Sequence, residues 1–166
     1  MTKRNAAIVS CACLLAVVLL SCQQQRDPCL QPKIMTLQVG AYQKPDTAII
    51  DTALPAPFIA AIDFTDSIKV TVNGTNNLNK FSLYLSPQAD SCRWLVWPDT
   101  AAAITTADTL TFYYDKSLQF LSNACGYTYF YNLHSLHTTN HSIDSVVINS
   151  YNVNNDASKE HVKIYY

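Results

Sequence analysis

Two patterns of apolar residues divide the chain. Ala6 to Leu20 is an uncharged, mostly apolar run, whereas from Ile34 onward apolar and polar residues alternate in short segments separated by Gly, Pro, Asn and Asp. Alternation with a period of two marks a half-buried strand. It is clearest in Asp66–Asn73, where Ile68, Val70 and Val72 share one face, and in Lys80–Ser86, through Phe81, Leu83 and Leu85. Asn73-Gly74 between them tolerates positive φ, so the two segments are expected to pair as antiparallel neighbours. Ile34–Tyr42 and Phe58–Ile62 are further strands, and Cys92–Trp97, apolar on both faces, is expected at the centre of a sheet. Asp108–Asp115 puts Leu110, Phe112 and Tyr114 on one side, and Asp115-Lys116 is expected to turn the chain into Leu118–Leu121. Tyr127–Leu133, Ser145–Val153 and His161–Tyr166 follow. The proline-rich Gln43–Pro57 reads as a connection with room for a short edge strand around Ala48–Ile50. Roughly eight to ten strands, with turn signals every eight to twelve residues, predict an all-β fold. The expectation is an antiparallel β-sandwich, Ig-like or related, over residues 34–166.

The first apolar run needs a different account. Its 15 residues would span about 22 Å as a helix, short of the ~30 Å hydrocarbon core of a bilayer. Preceded by Lys3 and Arg4, it has the form of a signal-peptide core. Leu19-Leu20-Ser21-Cys22 resembles the lipobox cut by lipoprotein signal peptidase. That resemblance implies removal of residues 1–21, a diacylglycerol on the Cys22 sulfur, and a lipidated tether over 22–33. The alternative is an ordinary secretory signal that leaves Cys22 as a thiol. Gln23 stands where some bacteria carry an inner-membrane retention aspartate, and no acidic run follows. The expected location is therefore the outer membrane, lipid-anchored and facing the periplasm.

Composition agrees with a small envelope domain. Removal of residues 1–21 from the 166-residue chain leaves 145, enough for one core. Two of the eleven basic residues leave with no acid, shifting the formal charge from −1 to −3. No basic stripe is present, so no nucleic-acid partner is expected. Of six cysteines, Cys29, Cys92 and Cys125 remain for the folded part, and three disulfide pairings are open.

Asp108–Tyr131, DTLTFYYDKSLQFLSNACGYTYFY, resembles the DUF6452 family, small lipoproteins from Bacteroidota without an assigned activity. Their pattern has a lipobox, a Cys-Pro-rich start, a core DTLTFxYxxxxxFISxxCGY and an ending HIKIxF. Here Cys29 lies between Pro28 and Pro32, Leu121-Ser122 replaces Ile-Ser, and the chain ends His161-Val162-Lys163-Ile164-Tyr165-Tyr166. The two family cysteines fall on Cys29 and Cys125, so the resemblance implies a disulfide between them, with Cys92 left over.

Candidate chemistry is sparse. His134, His137 and His141 would suit a metal only if their loop folded back, so no cofactor and no metal is expected. There is no G-x-S-x-G elbow and no catalytic constellation, which points away from an enzyme. An anchored hydrolase stays as the least supported reading. Asp, then Ser or Thr, then an aliphatic residue or Ala recurs six times, at 46–48, 51–53, 66–68, 99–101, 108–110 and 144–146. This resembles the O-glycosylation motif of Bacteroidota envelope proteins, with Thr47 and Thr52 the favoured sites; the same triplet also simply begins strands. Trp94 or Trp97 with Tyr127, Tyr129 and Tyr131 would form an aromatic platform for sugar or protein, or else pack as core. The sequence thus predicts a non-enzymatic binding or structural module held to the membrane by its lipid, with a possible envelope-protein or glycan partner. The alternative is an accessory subunit of an envelope assembly or glycan-uptake machine.

Overall fold

A computed structural model gives the fold and describes residues 28–43, 49–62, 70–74 and 77–166. The signal segment 1–21, Cys22 and Thr47 lie outside these residues. The chain is all-β and sandwich-like, as its alternation predicts: two sheets enclose one core, and the described residues hold a single short 3-10 turn, Ile104–Thr106.

The first sheet is built on β1 (Thr36–Gln43). On one side β1 pairs with β11 (Val162–Tyr165), which in turn pairs with β9 (Ser145–Ile148). On the other side β1 pairs with β5 (Lys80–Tyr84) along Thr36–Gly40 and, further along, with β2 (Ile50–Asp51) at Tyr42 and Gln43. The β1–β11 pair is parallel, a departure from the all-antiparallel expectation. Parallel pairing needs a long connection, and the first and last strands have the whole domain between them.

The second sheet runs β10 (Asn152–Val153), β8 (Gly126–His137), β7 (Asp108–Ser122), β6 (Ser91–Trp97), β3 (Phe58–Ala61), β4 (Val70–Asn73), with every pair antiparallel. Inward residues follow the period of two: Leu37, Val39 and Ala41 from β1 meet Cys92, Trp94 and Val96 from β6 and Leu110, Phe112 and Tyr114 from β7.

Three local expectations are corrected. The described part of Asp66–Asn73, Val70–Asn73, does not pair with Lys80–Ser86, since β4 lies beside β3 and β5 beside β1, in different sheets. Gly74 (φ 64°) donates to the Pro57 carbonyl, and the Leu54–Leu78 bridge then carries the chain across to the first sheet. Asp115-Lys116 is not a turn, and β7 runs straight through it to Ser122. Lys116 there bonds the Asp90 carboxylate at 2.6 Å. Finally, Ser145–Val153 is two strands in two sheets, broken at Asn149–Tyr151.

The β7–β8 hairpin outgrows its sheet. β6 pairs β7 only as far as Tyr113, and β10 pairs β8 only at Tyr131 and Asn132. Beyond these points residues 115–122 and 126–130 form a two-stranded ribbon with no further strand beside them among the described residues. Its turn closes through Gly126, whose φ of 74° suits glycine. A free two-stranded ribbon is marginal in water. Here the segment entering β1 braces it: Cys29 is bonded to Cys125, and the Thr128 hydroxyl donates to the Lys33 carbonyl.

Candidate functional site

Between this ribbon and the body lies a cleft of about 640 Å³. One wall is Leu118, Tyr127, Thr128 and Tyr129 of the ribbon, the second is Lys33, Ile34 and Met35, and the third is Tyr84, Leu85 and Pro87 beyond β5. Alternation along β8 puts Tyr127, Tyr129 and Tyr131 on one side, and cross-strand register sets Leu118 opposite Tyr129 and Phe120 opposite Tyr127. The Phe120 and Tyr127 rings lie 5.2 Å apart.

The inner end is fixed by hydrogen bonds between the two sheets. Tyr131 donates its hydroxyl to the Leu85 carbonyl (3.3 Å). The Tyr114 hydroxyl accepts from the Ser86 N–H (2.9 Å) and donates to the Ser86 carbonyl (3.0 Å). Trp94 donates its indole N–H to the Tyr84 carbonyl (3.2 Å). Three aromatic side chains of the second sheet thus satisfy the backbone just where β5 ends, and that holds Tyr84 at the cleft. Burial pushes the Tyr131 phenol up to about 12, so it stays neutral and keeps donating.

Chemically the cleft offers apolar ring faces with hydroxyl tips. Among the described lining residues Lys33 is the only charged one. Such a surface suits contact and stacking.

The aromatic platform read from the sequence is therefore redistributed. Trp94 is fully buried and Tyr131 nearly so, both as core, while Tyr127 and Tyr129 remain exposed. Tyr84, Ile34, Leu118 and Phe120 complete the apolar surface and were not singled out by sequence. The signal that points to Leu118 and Phe120 is the absence of any charged residue from Ser117 through Leu133; Ile34 and Tyr84 carry no such signal.

The cysteines take the arrangement implied by the family resemblance: Cys29 is bonded to Cys125, and Cys92 is a buried thiol 4.0 Å from the Tyr84 carbonyl. The three histidines go separate ways. His134 faces Asp115 at 3.0 Å, His137 meets the Tyr113 ring edge-on, and His141 lies beside Thr139. No cluster able to hold a metal ion occurs among the described residues.

The Asp-Thr triplets divide as well. At Asp108-Thr109-Leu110 the aspartate is fully buried and organises the loop after β8. It accepts the backbone N–H groups of His141 (2.7 Å), Ser142 (2.8 Å) and Ile143 (2.8 Å) and the Thr139 hydroxyl (2.7 Å). Burial alone would raise its pKa; these four bonds outweigh burial and hold it below the usual 3.8. This triplet serves the fold. Thr52 sits half-buried beside the β2 edge, its hydroxyl donating to the Ile50 carbonyl at 3.2 Å.

A second buried titratable group marks the start of β11. Gln38 donates its N–H to His161 Nδ1 (3.0 Å) and accepts the His161 N–H (2.9 Å), which extends the β1–β11 ladder. His161 Nε2 is sealed from solvent without a well-formed hydrogen bond, and burial lowers the imidazole pKa below 6.5.

Comparison with known proteins gives a family. The model of a family of unknown function, DUF6452, matches residues 58–166, and the chain belongs to that family. The match includes Asp108–Tyr131 and the His161–Tyr166 ending, whereas Cys29 precedes it. No curated protein and no solved structure matches the chain.

Proposed function

We propose that this member of the DUF6452 family is a lipid-anchored, non-enzymatic contact module of the outer membrane, facing the periplasm, which presents its tyrosine-lined cleft to an envelope partner. The observation that carries this reading is the joining of the tether to the cleft. Cys29 lies seven residues after Cys22, the proposed lipid site, and is bonded to the turn of the ribbon that forms one wall. The anchor and the contact surface then occupy the same end of the domain.

Two further features support it. Disulfides persist in oxidising compartments such as the periplasm. The cleft also presents exposed tyrosine rings with hydroxyl tips, a surface suited to binding.

The test is crosslinking in intact cells. A photoreactive residue at Tyr84 or Tyr129 is expected to give a discrete adduct with one envelope protein or glycan, whereas the same residue at Tyr151 gives none. Co-purification of that adduct within a stoichiometric assembly makes the chain an accessory subunit. No adduct from either cleft position, in a protein that melts like wild type, contradicts the reading.

A further inference from the structure

The outer rim of the ribbon has a chemistry of its own. Around the Cys29–Cys125 bond, Leu30, Ile34, Tyr127, Leu118 and Phe120 are 91%, 67%, 65%, 56% and 54% exposed. Leu118, Ile34 and Tyr127 line the same cleft, the Phe120 ring packs at a tilt against Tyr127, and Leu30 follows the bonded cysteine. These five form a group around one bond, whereas other exposed apolar side chains such as Ile50, Ile104 and Val147 lie on other elements. The ribbon there is also uncharged, from Ser117 through Leu133.

We infer that this rim seats in the interface of the phospholipid bilayer, a deepening of the proposed function that rests on lipidation of Cys22. Chain length supplies the first argument. Cys29 lies seven positions after Cys22, a span of at most about 25 Å when fully extended. Because Cys29 is bonded to the ribbon turn, a lipid on Cys22 confines this end of the domain, and no other, to the neighbourhood of the membrane.

Side-chain chemistry supplies the second. Tyrosine favours the boundary between headgroups and acyl chains, with its ring in the apolar layer and its hydroxyl in the wet one. Leucine, isoleucine and phenylalanine gain by leaving water, and no charged group on the ribbon rim has to be desolvated with them. Lys33 at the cleft wall is long enough to keep its ammonium among lipid phosphates.

The backbone sets the depth. The ribbon edges carry N–H and C=O groups with no neighbouring strand, and each would cost several kcal/mol in hydrocarbon. The rim therefore enters the interfacial layer and stops there. It does not span.

The test uses the full lipidated chain, purified from membranes and reconstituted in phosphatidylethanolamine–phosphatidylglycerol vesicles. Phe120→Trp and Tyr127→Trp each place an indole on the rim. Tyr151→Trp places one at an exposed position level with Leu133, roughly 20 Å along β8 from Tyr127. Lipids brominated near the glycerol end of their acyl chains are expected to quench most of the emission added by either rim indole and to blue-shift it. They leave the Tyr151→Trp emission unchanged. Intact mass of the same samples reports the lipid on Cys22. Lipid present with unquenched rim indoles overturns the bilayer seat and leaves the anchored module standing, as does equal quenching at Tyr151→Trp. Absence of lipid on Cys22 removes the anchor reading and this inference together.

Discussion

Cys29 and Cys125, 96 residues apart in sequence, are joined as a disulfide with their Cα atoms 4.7 Å apart. The bond closes a loop containing most of the domain and braces a ribbon that has no sheet around it. Replacing both cysteines by serine is expected to lower stability by about 2–4 kcal/mol, the usual range for removing a native cross-link. The loss should be uneven. Hydrogen exchange in the Cys29→Ser/Cys125→Ser protein is expected to speed up most at residues 117–130, while residues 108–112 stay protected by β6. Uniform acceleration across β7 would show that the bond supports the whole sheet instead.

Asp108 serves four donors from a single buried carboxylate. Asp108→Asn turns an amide toward N–H groups that need an acceptor, and about 2–3 kcal/mol should be lost. The pH dependence follows from the lowered pKa: this contribution is complete above 3.8 and disappears as pH falls through the lower native value. Urea midpoints measured from pH 7 down to pH 2 should therefore converge for wild type and Asp108→Asn only at the acid end.

His161 acts in a different window. Its native pKa lies below 6.5, so its contribution is constant above that pH and is lost as pH falls from 6.5 through the native value. Lys159 reinforces the lowering, whereas Asp156 and the Asn152 backbone oppose it. His161→Gln keeps an acceptor within reach of the Gln38 N–H. It is expected to remove the sag in stability below pH 6.5 while leaving the acid loss due to Asp108. An unchanged sag in the Gln variant would assign it to another group.

Gly40 makes room for the only glutamate in the chain. A Cβ built there would stand 2.3 Å from Glu160 Oε2 and 2.8 Å from the Tyr42 ring. Glu160 in turn accepts the Tyr42 hydroxyl at 2.8 Å. Gly40→Ala is expected to cost about 1–3 kcal/mol by overpacking. The cost should shrink in a Glu160→Ala background, where one of the two obstacles is gone, and a double-mutant cycle measures that difference.

Much of the fold was legible because burial imposes a period of two. β1, β5 and β11 each expose it directly, through runs such as Leu37-Val39-Ala41 and Phe81-Leu83. Alternation says which residues turn inward, but it does not name the neighbouring strand, so β4 and β5 looked like partners when they belong to different sheets. Asp115-Lys116 looked like a turn because charge pairs often mark one; a contact with Asp90, distant in sequence, keeps the strand running instead. The site was half legible. Tyr127 and Tyr129 stood out as a one-faced row, yet Tyr131 and Trp94 of the same composition sink into the core to satisfy the Leu85 and Tyr84 carbonyls. Tyr84 and Ile34 reach the cleft only through sheet assembly, and no local pattern announces that.

In the proposed function this domain hangs from a lipid on Cys22 beside its contact surface. Intact-mass analysis of the native chain extracted from membranes tests it most directly, with non-reducing peptide mapping of the same sample. The expected species is a mature chain beginning at Cys22, carrying a diacylglycerol and an amide-linked acyl group, with Cys29 and Cys125 in one bridged peptide. An unmodified chain recovered in the soluble fraction, or one that starts at another residue, would contradict it.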